Sequence, residues 1–129
     1  MRLWHEALIS KLPRQQLLGQ WRECIALLGL GWGKKHKTVN YVFSNPTENL
    51  VKYTNKISKE MIRRGYKPNT MLIEKALSKR LSNNDIRSVL AKANNNVCCG
   101  YGNGFCYKEH NDFYLSECLE NLRSKGIVI

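Results

Sequence analysis

The sequence predicts an all-α protein, a compact helical bundle in one domain over residues 1–129. Three observations lead there. A chain of 129 residues with 43% hydrophobic content is long enough for one modest core and too apolar for a disordered tail. Apolar residues recur at helical spacing in two long stretches and again near the C-terminus. Prolines and glycines fall at the ends of those stretches, with no internal repeat and no interdomain linker between them.

The first helix is expected from about Pro13 to Leu28, with Ser10 near its start. Proline is tolerated in a first turn, where its missing N–H would have no partner anyway. Leu17, Leu18, Trp21, Cys24, Ile25 and Leu28 form the apolar stripe; Gln15, Gly19, Arg22, Glu23 and Ala26 form the other face. Gly19 weakens the helix by roughly 1 kcal/mol against Ala, and it removes a side chain where another backbone could approach. Residues 29–43, GLGWGKKHKTVNYVF, read as a loop. They lack the glycine spacing and the Lys-Ser/Thr pair of a Walker loop. They can still present Lys34, Lys35, His36 and Lys37 to phosphates, with Trp32 as a stacking face.

A second long helix is expected from near Pro46 to Gly65, burying Leu50, Tyr53, Ile57 and Met61. Lys52, Lys56, Lys59, Arg63 and Arg64 make its other side basic, either as a solvated face or as a DNA contact. Residues 69–80 and 84–93 read as shorter helices and 94–106 as a glycine- and asparagine-rich loop. Asp112–Ser124 reads as a last helix, capped by Asn111, with Leu115, Cys118, Leu119 and Leu122 inward.

Net charge is +11, and it is unevenly spread. Residues 1–92 hold 18 basic and 6 acidic side chains, and residues 93–129 hold 3 and 4. A surface of this kind attracts polyanions and releases counterions on binding, so nucleic acid is the expected partner class. No apolar run approaches the roughly 20 residues of a membrane span, and the N-terminus lacks the apolar core of an export signal. Five cysteines, an odd number without such a signal, fit a reduced cytosolic protein.

Three constellations can carry chemistry. The first is Arg22 beside Glu23, close behind the α-amine of Met1. An α-amine titrates near 7.7, about three units below lysine, so part of it is neutral near neutral pH, and nearby arginines lower it further. A neutral amine can attack a sugar carbon and form an imine, while a carboxylate moves the protons. The competing reading is a surface ion pair of Glu23 with a neighbouring cation. The second is Cys98, Cys99, Cys106 and His110. Cys106 and His110 stand four apart, as a zinc pair can, but Cys98 and Cys99 are adjacent and no two-residue-spaced pair exists. Reduced loop and core thiols are therefore expected, with no metal. The third is His5 and His36, which lack a Ser or Cys partner at a recognisable spacing and are expected at the surface or facing DNA.

The stretch MRLWHEALISKLPRQQLLGQWREC resembles the N-terminus of the pyrimidine-dimer DNA glycosylases of the phage endonuclease V type. Their pattern QHLLAEYRELPR reads here QQLLGQWRECIA, with Gln15, Leu17, Arg22 and Glu23 matching. VNYVFSNPTENLVKYTNKISKEMIRRGYKP, residues 39–68, is a second match. RLWH, LPRQQLLGQ, GWGKKH and EHNDFYLSECLENL make the whole chain similar to a bacterial branch of that family.

The resemblance implies a mostly helical domain, acting as a monomer without metal or cofactor. Its substrate would be damaged double-stranded DNA, and its setting the cytoplasm, at the nucleoid. It implies glycosylase and AP-lyase activity through a Schiff base on the N-terminal amine, with Met1 as nucleophile and Glu23 as acid/base. Arg2, Gln15, Gln16, Arg22, Lys34, Lys35, His36 and Lys37 would bind DNA. The alternative is a catalytically inactive DNA-binding protein of the same fold. The phage enzymes differ in having a His at the position of Gln16, an Arg at Ala26, and a Thr amine freed by loss of the initiator. Here Arg2 is too large for that loss, so Met1 stays; it stands in for the Thr, and Arg2 for the Arg that follows.

Overall fold

A computed structural model describes residues 2–34, 39–93, 107 and 109–128. Among them are helices and no strand. A 3-10 helix at Glu6–Lys11 is followed by α1 (Arg14–Leu28), α2 (Asn40–Phe43) and α3 (Thr47–Arg63). Then come α4 (Met71–Leu77), α5 (Asn83–Ala93) and α6 (Asp112–Ser124). None of the helices is long and apolar enough to cross a membrane, among the described residues.

The core forms where the stripe of α1 meets that of α3. Leu17, Cys24 and Leu28 are buried with Leu50, Tyr53 and Ile57, and Leu27 and Val51 join them. α4 closes the other side of α1, and α5 packs on α3. The helix stops follow the glycines. Gly65, at φ +90°, lets its own N–H reach Ile62 at 2.9 Å and that of Tyr66 reach Met61 at 2.9 Å. Gly126, at φ +79°, repeats this pairing after α6. Both are paired left-handed helix ends that only glycine forms without strain. At the end of α1, a Cβ on Gly31 would fall 2.8 Å from the Ala26 carbonyl oxygen, so the chain can fold back over the helix only without a side chain there.

Three expectations need correction. Residues 40–43 are helical, not loop, and the expected third helix shortens to Met71–Leu77. Trp32 is no open stacking face: the Arg80 guanidinium lies 4.4 Å from its ring centre and Phe43 meets it edge-on at 5.1 Å. Arg80 also donates to the Leu28 carbonyl at 2.9 Å, which ties this turn to the end of α1. The basic side of α3 is largely committed within the fold. Lys56 pairs with the buried Glu6, while Arg63 and Arg64 converge on Glu60. Those contacts hold Glu60 down to about 2, Arg63 contributing most.

Candidate nucleic-acid interface and active site

The polar face of α1 does not point into open solvent. Gln15, Gln16, Gly19, Gln20 and Glu23 form one wall of a hollow of about 400 Å³. Arg2 and Trp4 supply a second wall, and Asn121 and Lys125, at the end of α6, the third. Helical spacing explains the first wall: residues three and four apart stack along one face.

The N-terminal segment before the 3-10 helix, a strand of chain that belongs to no sheet, is held from several sides. Trp4 donates its main-chain N–H to Gln20 Oε1 at 2.8 Å, and Tyr53 donates its hydroxyl to the Trp4 carbonyl at 2.5 Å. Tyr114 of α6 donates to the Leu3 carbonyl. Burial keeps both phenols above their usual range, so they remain protonated donors. Two residues past Trp4, Glu6 donates its N–H to His110 Nδ1 at 3.3 Å. His110 is fully buried, and burial, helped by His5 and Lys56, lowers it to about 3. Its ring is therefore neutral, accepts at Nδ1 and carries its proton at Nε2, 2.9 Å from the Tyr41 hydroxyl.

Glu23 is half-buried in the hollow and is the sole carboxylate among the described residues lining it. Gln20 Nε2 donates to its Oε2 at 3.3 Å. Burial raises its pKa. The positive chain terminus, the Arg2 main chain, Lys125 and Arg22 each pull the other way.

Arg2, Gln15, Gln16 and Glu23 thus share one hollow. Arg22 is exposed at its edge, its Nη2 3.9 Å from where a Gly19 Cβ would sit. Among the described residues no other chain segment comes within 4 Å of a Cβ at Gly19; its missing side chain leaves room in the hollow instead. The Arg2 guanidinium pairs with Glu117 of α6 at 3.2 Å and lies 5.9 Å from the Tyr114 ring centre. Lys34 is exposed outside the hollow. Met1, Lys35, His36 and Lys37 lie outside the described residues, as do Cys98, Cys99 and Cys106.

His5 is corrected. It is 2% exposed, accepts from the Ala7 N–H at 3.0 Å to cap the 3-10 helix, and stacks on His110 at 5.3 Å. His110 uses both ring nitrogens in the core, toward the Glu6 N–H and the Tyr41 hydroxyl. No metal-holding group of three His, Cys, Asp or Glu side chains occurs among the described residues. Cys24 and Cys118 are buried free thiols on the apolar faces expected for them.

Sequence reasoning passed over Trp4, Gln20, Asn121 and Lys125. Gln20 carried a readable signal, one turn after Gln16 and just before Glu23. Asn121 and Lys125 carried none, because only the approach of α6 to the N-terminal strand brings them in.

A family model described as pyrimidine dimer DNA glycosylase matches residues 1–74. The match covers more than half of the chain, including Arg2, the whole of α1 and α3, and Glu23. Asn121 and Lys125 lie beyond it. No curated protein and no solved structure matches the chain. With an all-helical fold and a match from its first residue to the start of α4, the chain belongs to the pyrimidine dimer DNA glycosylase family.

Proposed function

We propose that this protein excises bases from damaged duplex DNA and cuts the strand at the resulting site through an imine on its own N-terminus. The neutral α-amine of Met1 attacks C1′ of the damaged nucleotide. The C1′–N bond to the base breaks and the base leaves with one amine proton; the C1′–O4′ bond then opens, O4′ takes up the second amine proton, and the nitrogen is left as an imine on C1′. The imine acidifies C2′; Glu23 takes that proton, and the 3′ C–O bond breaks by β-elimination. Arg22 and Arg2 hold phosphates, Gln15 and Gln16 make polar contacts, and the lysines and histidine at 34–37 follow the backbone.

One observation carries the reading. The Gln20 amide bonds both the Trp4 N–H, at 2.8 Å, and the Glu23 carboxylate, at 3.3 Å, and Arg2 lines the same hollow as Glu23. The amine belongs to the residue before Arg2, about 3.8 Å away from Cα to Cα. On this reading the nucleophile extends from the same backbone segment that the partners of Glu23 hold.

Borohydride in the presence of abasic-site duplex is expected to trap a covalent protein–DNA adduct by reducing the imine. The adduct should vanish when the α-amine is blocked, and Glu23→Gln should slow its formation at least 100-fold, the usual scale for losing an acid/base group. A wild-type protein that gives no adduct overturns the mechanism. Salt-dependent DNA binding without cleavage of abasic or ultraviolet-irradiated DNA would identify a binding protein without chemistry.

A further inference from the structure

Gln20 is a polar side chain with 1% exposure on the helix that carries Glu23. A buried amide destabilises a fold unless both its ends are bonded, and an apolar residue would pack there at less cost. Both ends of Gln20 are bonded, to three different parts of the molecule. Oε1 accepts from the Trp4 N–H at 2.8 Å and from the Tyr53 hydroxyl at 3.3 Å. Nε2 donates to Glu23 Oε2 at 3.3 Å.

This orientation is forced. A flipped amide would set its NH2 against the Trp4 N–H, donor against donor, and its oxygen against the Glu23 carboxylate, acceptor against acceptor. The strand therefore dictates which end of Gln20 faces Glu23. α3 reinforces that choice, because Tyr53 bonds both Gln20 and the Trp4 carbonyl.

We infer that Gln20 is a positioning residue, which couples the strand leading to the α-amine to the Glu23 carboxylate through a single buried amide. The inference rests on the imine reading for its catalytic consequence, though not for the coupling itself. An N–H aimed at Glu23 favours its ionised form, the form that accepts the C2′ proton, and so offsets the burial that disfavours it. The same amide fixes the distance between strand and carboxylate, because neither partner can shift without leaving a buried group unbonded.

Two measurements on the full-length protein separate the coupling from the chemistry. The first is a carboxyl-carbon NMR titration of Glu23 in wild type, Gln20→Met, Gln20→Glu and Tyr53→Phe. Gln20→Met removes the donor at nearly constant volume and should move the Glu23 titration up by about one pH unit. Gln20→Glu keeps the acceptors for Trp4 and Tyr53 and sets a second carboxyl against Glu23. The pair should then titrate in two steps, the upper one displaced further than in Gln20→Met. Tyr53→Phe leaves the donor to Glu23 in place and should lower Tm without moving the titration. If Gln20→Met fails to fold, Gln20→Glu carries the test alone.

The second measurement is the single-turnover rate of borohydride-trapped adduct on abasic-site duplex, expected to fall about tenfold or more in Gln20→Met, as for a misplaced acid/base group. A Glu23 titration identical to wild type in the Gln20 variants, with only Tm lowered, makes Gln20 a packing residue and overturns the inference. A displaced titration in a protein whose wild type forms no adduct overturns the imine reading and leaves the coupling standing.

Discussion

Glu23 sits under two opposed pulls. Burial raises its pKa, while the chain terminus, the Arg2 main chain, Lys125 and Arg22 lower it, and the net direction is upward. A base must be ionised to accept a proton, so the strand-cutting rate is expected to rise with pH along a limb that lies above the ordinary carboxylate range. Single-turnover rates from pH 4 to 8 check this; a limb below the normal glutamate value of about 4.3 would contradict it. Arg2 has a different conflict. Its guanidinium is held by Glu117, a residue whose side chain is 62% exposed. Pairs this open contribute about 0–1 kcal/mol, so Glu117→Gln should leave Tm nearly unchanged. Freeing Arg2 for a phosphate and removing an anion beside the hollow should tighten binding to abasic-site duplex several-fold, read by fluorescence anisotropy at fixed salt. Glu23 and Arg22 were legible as a motif because they are adjacent in sequence and match a known pattern. His5 was misread because its type suits a surface; only the 3-10 helix it caps and the His110 ring behind it turn it inward.

At the scale of elements, the glycines separate by what surrounds them. Gly19 lies inside α1, and among the described residues a Cβ there would meet only Arg22 Nη2, at 3.9 Å. Gly19→Ala should therefore stabilise the fold by about 0.5–1 kcal/mol, the helix-propensity gain, with its methyl pointing toward the hollow. Gly31→Ala puts a methyl 2.8 Å from the Ala26 carbonyl oxygen, a backbone atom that cannot step aside. It should destabilise by about 1–3 kcal/mol, as overpacked sites do. Urea unfolding of the two variants beside wild type gives both signs in one experiment. The long helices were readable because an apolar stripe repeats over 15 and 17 residues in α1 and α3. The 3-10 helix Glu6–Lys11 and the four-residue α2 escaped because one or two turns are too short to show a period.

For the molecule as a whole, the neutral histidines in the core imply acid sensitivity. His110 is lowered to about 3 by burial first, and His5 is lowered as well. Unfolded histidine titrates near 6.5, so below that pH the unfolded chain binds protons that the folded chain refuses. Stability should fall from about pH 6.5 toward 3, by about 1.4 kcal/mol per pH unit for each such proton. Glu60, held down to about 2, adds a further loss only below the ordinary glutamate range. Urea midpoints at pH 7, 5 and 4 test this; a flat profile would mean the His110 cluster takes up its proton without cost. The long helices, their stops, the excess of basic residues and the Arg22–Glu23 pair all follow from spacing within short stretches of chain, and such spacing is readable in a string of residues. The hollow does not follow from spacing, because its walls come from contacts spanning 16 residues for Trp4 and Gln20, 33 for Gln20 and Tyr53, and 111 for Leu3 and Tyr114. A helix has a polar face whatever packs beside it; folding turned this one into a site by clamping the N-terminal strand across it with side chains from three helices.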